Sequence, residues 1–363
     1  MKKIVLNFLF AAVAILCSTS VLAQQDPYVT HYMFNRTMYN PAAVGANGKF
    51  CFTALSHYQY TGFEDRTPEF YKDKNTGIAE QAVKNVGPKT QMASFSAPFN
   101  FTDPSGQSKN YGGLGIGFIN DKLGYEYSTH VKIALAGRLP LSNGGAIALG
   151  GEVNLLQKGI DGNMLKPLVQ GDPNIPQTNI NTMLPNYAGG LYYDNPMTNN
   201  GSWEKMWISL SASQLKRQVY NVAGYNFNTT VTHLFLMGGI TKNDFIGNPN
   251  LKLHPSFMFK RSPGINQIEL TGLLEFKEKL WGGLGYRSTS DAFSVLLGYS
   301  GFRGKLQGLR IGYSYDLTLT KILSVSSGSH EIQLNYCFEI KWPPPTVKRV
   351  YDPRHLNKDI NLD

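Results

Sequence analysis

The 363-residue chain is 42% hydrophobic but only 16% charged, with 37 glycines, 20 tyrosines and 20 phenylalanines, a make-up that suits many short strands with aromatic ends rather than a charge-rich unfolded chain. Its formal charge of +9 is spread over turns and strand ends without a basic run, which argues against nucleic acid as a partner. Three cysteines are too few to staple a scaffold of this length.

Residues 1–23 read as a secretory signal peptide: a basic Met1-Lys2-Lys3, an apolar stretch from Ile4 to Leu16, and small residues ending at Ala23. Leu16 is larger than lipid-anchor processing accepts before a cysteine, so Cys17 is not read as a lipidation site. Beyond Ala23 no segment approaches the run of about 20 apolar residues that a membrane helix needs, so any membrane span has to be made of strands.

Residues 24–48 contain Pro27, Pro41, three tyrosines, Met33 and Phe34 but no alternation, and they are expected to be a plug rather than a strand. Asn40-Pro41-Ala42 is a turn signal within them, because proline fixes φ and the asparagine side chain can bond nearby amides. Two placements stay open, a segment folded into a barrel lumen and a periplasmic lead-in packed beneath it.

From residue 49 to 341 the chain predicts strands at 50–60, 90–97, 111–120, 125–138, 145–155, 186–193, 205–213, 231–241, 250–260, 266–276, 280–287, 291–299, 306–316 and 329–340. Val131, Ile133 and Leu135 alternate with His130, Lys132 and Ala134, ahead of Arg138; Ile268, Leu270 and Leu274 alternate with Gln267, Glu269 and Glu275. Near the end, Leu309, Ile311 and Tyr313 alternate with Arg310 and Ser314, and Ile332, Leu334 and Tyr336 with Glu331, Gln333 and Asn335. A period of two puts one set on each face, as an all-β transmembrane antiparallel barrel of about fourteen strands requires. A Lys or Arg facing lipid near mid-membrane would cost about 2–4 kcal/mol, so Lys132, Arg138, Glu269, Arg310 and Glu331 are assigned to the lumen.

The connections carry a second signal. The long ones, 61–89, 156–185, 214–230 and 317–328, are all odd-numbered from the first, whereas the even-numbered ones are short or middling. Bacterial outer-membrane barrels sort their loops in this way, with long loops outside and short turns in the periplasm, although 120–124, 261–265 and 288–290 are short on the outward side, so the long loops are expected to cluster on part of the rim. Glycines inside strands, at Gly113, Gly115, Gly117, Gly282, Gly283 and Gly285, are expected to let a plug or a neighbouring backbone approach the wall. Cys51 and Cys337 fall on the first and last strands, which closure makes neighbours, but their pairing depends on register and two free thiols are the expectation. After Trp342-Pro343-Pro344-Pro345 the tail 342–363 is basic, with Lys348, Arg349 and Arg354, and reads either as a solvated tail or as a docking peptide for a periplasmic partner.

Catalysis finds no support in the sequence. The seven histidines lack metal-ligand spacing, no nucleophile elbow occurs, and Gly113-Leu114-Gly115-Ile116-Gly117 lies within a predicted strand rather than in a phosphate loop. No enzyme activity and no cofactor are expected.

Several motifs in order resemble one family. Gln25-Asp26-Pro27, Tyr32-Met33-Phe34-Asn35 and Tyr39-Asn40-Pro41-Ala42 look like the N-terminal signature of the PorP/SprF outer-membrane proteins of the Bacteroidetes type IX secretion system. Asn120-Asp121-Lys122-Leu123-Gly124, Gly171-Asp172-Pro173, Gly189-Gly190-Leu191-Tyr192-Tyr193, Gly285-Tyr286-Arg287-Ser288, Leu309 to Asp316 and Ser327 to Ile332 continue the resemblance to about residue 340. Arg36-Thr37 departs from it, standing where the family commonly has a proline.

The resemblance implies an outer-membrane component that links secreted or surface-attached cargo, such as an adhesin, or the periplasmic ring and peptidoglycan-associated subunits, to the membrane. On that basis Asp65, Arg66, Gly171, Asp172 and Pro173 mark candidate cargo-docking loops. The Asn-Pro-Ala turn also resembles the hatch of fourteen-stranded fatty-acid channels, which implies the alternative of a transporter for hydrophobic compounds.

Overall fold

In the computed structural model, residues 27–65, 83–84, 86–102, 108–165, 175–197, 203–222, 225–288, 292–340, 350–351 and 359–360 are described. Residues 1–23, read as the signal peptide, lie outside them. Fourteen antiparallel strands close into one barrel. In chain order these are β1 Phe50–Tyr58, β2 Lys89–Thr102, β3 Ser108–Leu123, β4 Glu126–Pro140, β5 Ala146–Ile160, β6 Ile180–Pro196 and β7 Trp203–Ser213. They continue as β8 His233–Lys242, β9 Leu251–Ser262, β10 Ile265–Phe276, β11 Leu280–Arg287, β12 Ala292–Tyr299, β13 Leu309–Thr318 and β14 Ser329–Phe338. Each strand pairs with its sequence neighbours, and β1 closes the wall on β14.

Every strand expected from the alternation is present. Ile133 and Leu135 on β4, Leu270 on β10 and Ile332 on β14 stand exposed on the outer face, while Lys132, Glu269 and Glu331 beside them are buried inside. This inside-out burial follows from the solvent: aliphatic side chains face hydrocarbon and charged ones must find partners in the lumen. Aromatic rings gather near both ends, with Phe50 stacked on Phe338 at 5.8 Å beside the even-numbered connections and Tyr286 against Phe293 at 5.3 Å beside the odd-numbered ones.

The connections at the two ends differ as the sequence predicts, although several strands run further than expected. The hairpin of β5 and β6 extends to Ile160 and Ile180, which shortens its loop to 161–179. The added residues mix polar Gln157, Lys158, Asn181 and Thr182 with apolar Leu156, Ile160, Ile180 and Met183, so the period of two is weaker there. Two-residue turns at Gly124-Tyr125 and Pro263-Gly264 use a left-handed glycine, with φ of +59° and +83°. Two short hairpins decorate the odd-numbered loops, Glu64–Asp65 with Val83–Lys84 and Val219–Val222 with Tyr225–Thr229.

One expectation is corrected. Cys51 and Cys337 are not free thiols; they are directly opposite in the β1–β14 register, with Cα atoms 4.1 Å apart, and form a disulfide. Sequence places both on strands that meet, but only the register, set by nine consecutive pairs from Phe50–Phe338 to Tyr58–His330, brings them level. The bond ties the two ends of the barrel wall together and closes a loop of nearly the whole barrel, for which the chain-entropy contribution is at most about 5 kcal/mol. Peptide mapping after alkylation without reductant is expected to recover Cys51 linked to Cys337, and Cys337→Ser to lower the temperature at which the folded band is lost in semi-native electrophoresis. Recovery of both cysteines alkylated would contradict the linkage.

Candidate functional site: the lumen plug

Residues 27–48 run through the inside of the barrel. They start at the end that carries the long connections, where the Tyr28 carbonyl lies 2.9 Å from His57 Nδ1 near the end of β1. They leave at the opposite end, where Gly48 leads into Phe50 and the start of the same strand. Within a lumen that offers neither a sheet edge nor bulk water, the segment satisfies its backbone by coiling. Tyr32–Phe34, Arg36–Tyr39 and Pro41–Ala43 form short helical turns, with Asn35 N–H donating to Tyr32 O and Asn40 N–H to Arg36 O. Pro41 opens the third turn and the Asn40 carboxamide oxygen caps it, accepting from Ala42 N–H at 2.8 Å.

The wall is hollowed to receive this backbone. A Cβ on Gly150 of β5 would lie 2.4 Å from Ala42 N, one on Gly190 of β6 2.0 Å from Asn40 Oδ1, and one on Gly113 of β3 2.7 Å from Gly45 Cα. Gly115 and Gly117 face Val44 and Met38 in the same way. The glycines at Gly282, Gly283 and Gly285 serve a different purpose, because their nearest atoms belong to adjacent strands rather than to the plug. Asn40 is the central anchor: its amide donates to Leu191 O and Ser209 Oγ at 2.7 Å each while its oxygen holds the cap. Lys132 Nζ donates to Met38 O at 3.1 Å and pairs with Glu152 at 3.2 Å; Ser211 Oγ donates to Tyr39 O at 2.7 Å.

Near the end with the long connections a buried charged network grips the start of the plug. The Glu331 carboxylate accepts the backbone N–H groups of Thr30 and His31, each at 2.8 Å, and also meets the His31 ring. Thr30 Oγ1 donates to Asp316 at 2.8 Å. Arg287 binds Glu269 through two nitrogens at 3.1 Å each, approaches Asp316 at 3.4 Å and donates to Thr30 Oγ1 at 3.2 Å. Glu269, Asp316 and Glu331 are all nearly inaccessible, and the partners they find there are Arg287, the Thr30 hydroxyl and the plug amides of Thr30 and His31. Beside this network Tyr32 is fully buried with its hydroxyl 3.2 Å from Ser256 Oγ.

The motif residues Tyr32, Met33, Phe34, Asn35, Tyr39, Asn40, Pro41 and Ala42 all lie inside the barrel, and only Phe34 is more than slightly accessible. Lys132, Arg138, Glu269, Arg310 and Glu331 all face inward: Arg138 pairs with Asp194, and Arg310 stacks on Phe34 at 4.5 Å with Glu275 at 3.5 Å. Asp65 is in the small hairpin of the first connection. Arg66, Gly171, Asp172, Pro173, Lys348, Arg349 and Arg354 lie outside the described residues. Sequence reasoning did not single out Arg287, Asp316, Glu152, Asp194, Arg36 or His57 as site residues, although the first four share the inward phase of their strands and could have been found by carrying the alternation through every strand. Arg36, the departure from the motif, lies against Trp207, its guanidinium carbon 4.7 Å from the ring centroid.

A closed fourteen-strand barrel with a lipid-facing apolar belt and a plug bonded into its lumen defines an outer-membrane-type β-barrel. Residues 21–336 match the model of the type IX secretion system membrane protein PorP/SprF, and the chain belongs to that family. Among solved structures it is similar to a Pseudomonas aeruginosa FadL homologue, at 12% identity over 86% of this chain and 95% of that one, with a TM-score of 0.43. The β-domain of the Bordetella autotransporter BrkA aligns at 8% identity over 80% and 98% of the two chains, with a TM-score of 0.36. No curated protein sequence matches the chain.

Two substitutions test the seat. Arg287→Met strands Glu269 and Asp316 without their cation and is expected to destabilise the folded barrel by about 3–5 kcal/mol in denaturant titrations. Gly150→Val drives a side chain into the Ala42 backbone and is expected to make the plug accessible to protease while the barrel band persists; unchanged digestion would show that the wall does not need this glycine.

Proposed function

We propose that this membrane component of type IX secretion sits in the outer membrane as a docking platform, with its short connections and C-terminal tail in the periplasm and its long loops outside. The observation that carries this reading is the plug: the lumen is filled by residues 27–48, held along their length by Asn40, Lys132, Glu331 and Arg287, so the barrel is built to hold a shape rather than to pass a solute. Work is then left to the two ends. The outer loops, including Asp65 and Arg66 in 59–88 and Gly171 to Pro173 in 161–179, would receive secreted or surface-attached cargo. The periplasmic end and the tail with Lys348, Arg349 and Arg354 would meet the secretion ring and peptidoglycan-associated subunits. A channel for hydrophobic compounds fits less well, because the inward faces carry Lys132, Glu152, Glu269, Arg287 and Glu331 instead of an apolar path. No catalytic role is proposed.

In planar bilayers the purified protein is expected to be nearly silent, and Asp316→Asn combined with Glu331→Gln, which loosens the plug, to give open-channel steps. In cells, affinity purification after crosslinking is expected to recover secretion-system subunits with the wild-type barrel. Recovery of lipid-like ligand without any such subunit, together with wild-type conductance, would refute the docking role.

A further inference from the structure

The barrel end with the short connections contains a cleft of about 170 Å³ between the plug and the wall. Phe34, Trp207 and Trp281 form its aromatic sides, and Arg36, Lys205 and Arg310 bring cations to it. The wall residues stand within three positions of strand ends that border short connections: Lys205 near the start of β7, Thr241 near the end of β8, Glu275 near the end of β10, Arg310 near the start of β13. The opening therefore lies on the side assigned above to the periplasm.

The charges in this cleft do not balance. Arg310 and His254 share Glu275, at 3.5 and 3.7 Å, and Lys205 shares Asp194 with Arg138. Arg36 lies on the Trp207 face and donates to the Tyr192 hydroxyl at 2.6 Å, and among the described residues it has no carboxylate partner. Three guanidinium or ammonium groups that line the cleft, Arg36, Lys205 and Arg310, thus face one lining carboxylate, Glu275. The adjoining connections add exposed Lys277, Lys279, Arg303 and Lys305 against exposed Asp244, while Glu204 and Glu278 are both held by Lys252. Guanidinium groups stacked on aromatic rings keep their N–H edges free for a carboxylate, and an aromatic wall beside them favours an apolar side chain.

We infer that this cleft is a recognition pocket for an acidic peptide segment in which an aromatic or aliphatic side chain lies next to carboxylates. The size argues for a peptide over a long-chain amphiphile: the space suits one or two side chains and falls below the roughly 300–1,000 Å³ of pockets that engulf a drug-sized ligand. The plug closes it inward, so no acyl chain can continue into the lumen. The basic rim then steers an acidic partner to the cleft. The compartment of that partner rests on the orientation proposed above, whereas binding by the purified barrel does not.

The test uses the full-length protein in detergent and an acetylated, amidated peptide of sequence Asp-Phe-Asp-Leu-Asp, with an Asn-Phe-Asn-Leu-Asn peptide and decanoate as comparisons. Quenching or shift of the Trp207 and Trp281 fluorescence reports occupancy. The acidic peptide is expected to bind and to weaken with salt, and the asparagine peptide to bind about tenfold less tightly. Arg36→Gln with Arg310→Gln is expected to lose about tenfold in affinity, and Arg36→Lys with Arg310→Lys to lose less, with the folded band unchanged. Equal affinity for the two peptides, or displacement of the acidic peptide by decanoate at equal concentration, would overturn the inference on the wild-type protein alone, whatever the variants do. Retained peptide binding with loss of subunit co-purification would instead count against the docking role proposed above and leave the pocket standing.

Discussion

A barrel wall that faces hydrocarbon on one side must send every charge to the other, and the lumen must then neutralise what it receives. This constraint organises the molecule. Hydrocarbon leaves Ile133, Leu270 and Ile332 exposed outside, and in exchange Lys132, Glu269, Arg287, Asp316 and Glu331 crowd a narrow interior where water cannot satisfy them. The plug resolves that crowding. Its amides at Thr30 and His31 give Glu331 the donors a buried carboxylate requires, and its carbonyls at Met38 and Tyr39 take up Lys132 and Ser211. Plug and wall are therefore complementary polar surfaces, and neither is satisfied without the other.

The same complementarity explains the absence of side chains where they would be expected. Gly113, Gly150 and Gly190 weaken their strands individually, yet they let a polypeptide backbone come within hydrogen-bonding distance of the wall. Asn40 exploits that proximity. Its single carboxamide caps a helical turn, reaches two strands of the wall and fills the hollow left by Gly190, so one side chain fixes both the shape and the position of the segment.

With the lumen occupied, the chemistry left to partners is at the ends, and the two ends differ. One carries the long loops above a network whose carboxylates are already engaged by Arg287 and the plug. The other carries short connections and an aromatic-lined cleft whose arginines and lysines outnumber its acids. Unspent charge beside apolar surface is what complementary potentials need to select and orient a partner. The seam disulfide strengthens the same end, joining β1 to β14 at the pair next to the Phe50–Phe338 stack.

Alternation alone revealed the fourteen strands, the inward phase of Lys132, Arg138, Glu269, Arg310 and Glu331, and the sorting of loop lengths, because a period of two is a local property that the lipid boundary imposes on each strand separately. The Asn-Pro-Ala turn was legible for a similar reason: proline and asparagine act on their immediate neighbours. Sequence could not say that Thr30 would meet Asp316, that Arg36 would lie on Trp207, or that Cys51 would stand level with Cys337, because these contacts join residues hundreds of positions apart or on opposite walls. They depend on register and on the path of the plug, and both are fixed only when the wall has closed around a segment that carries no periodic signal of its own.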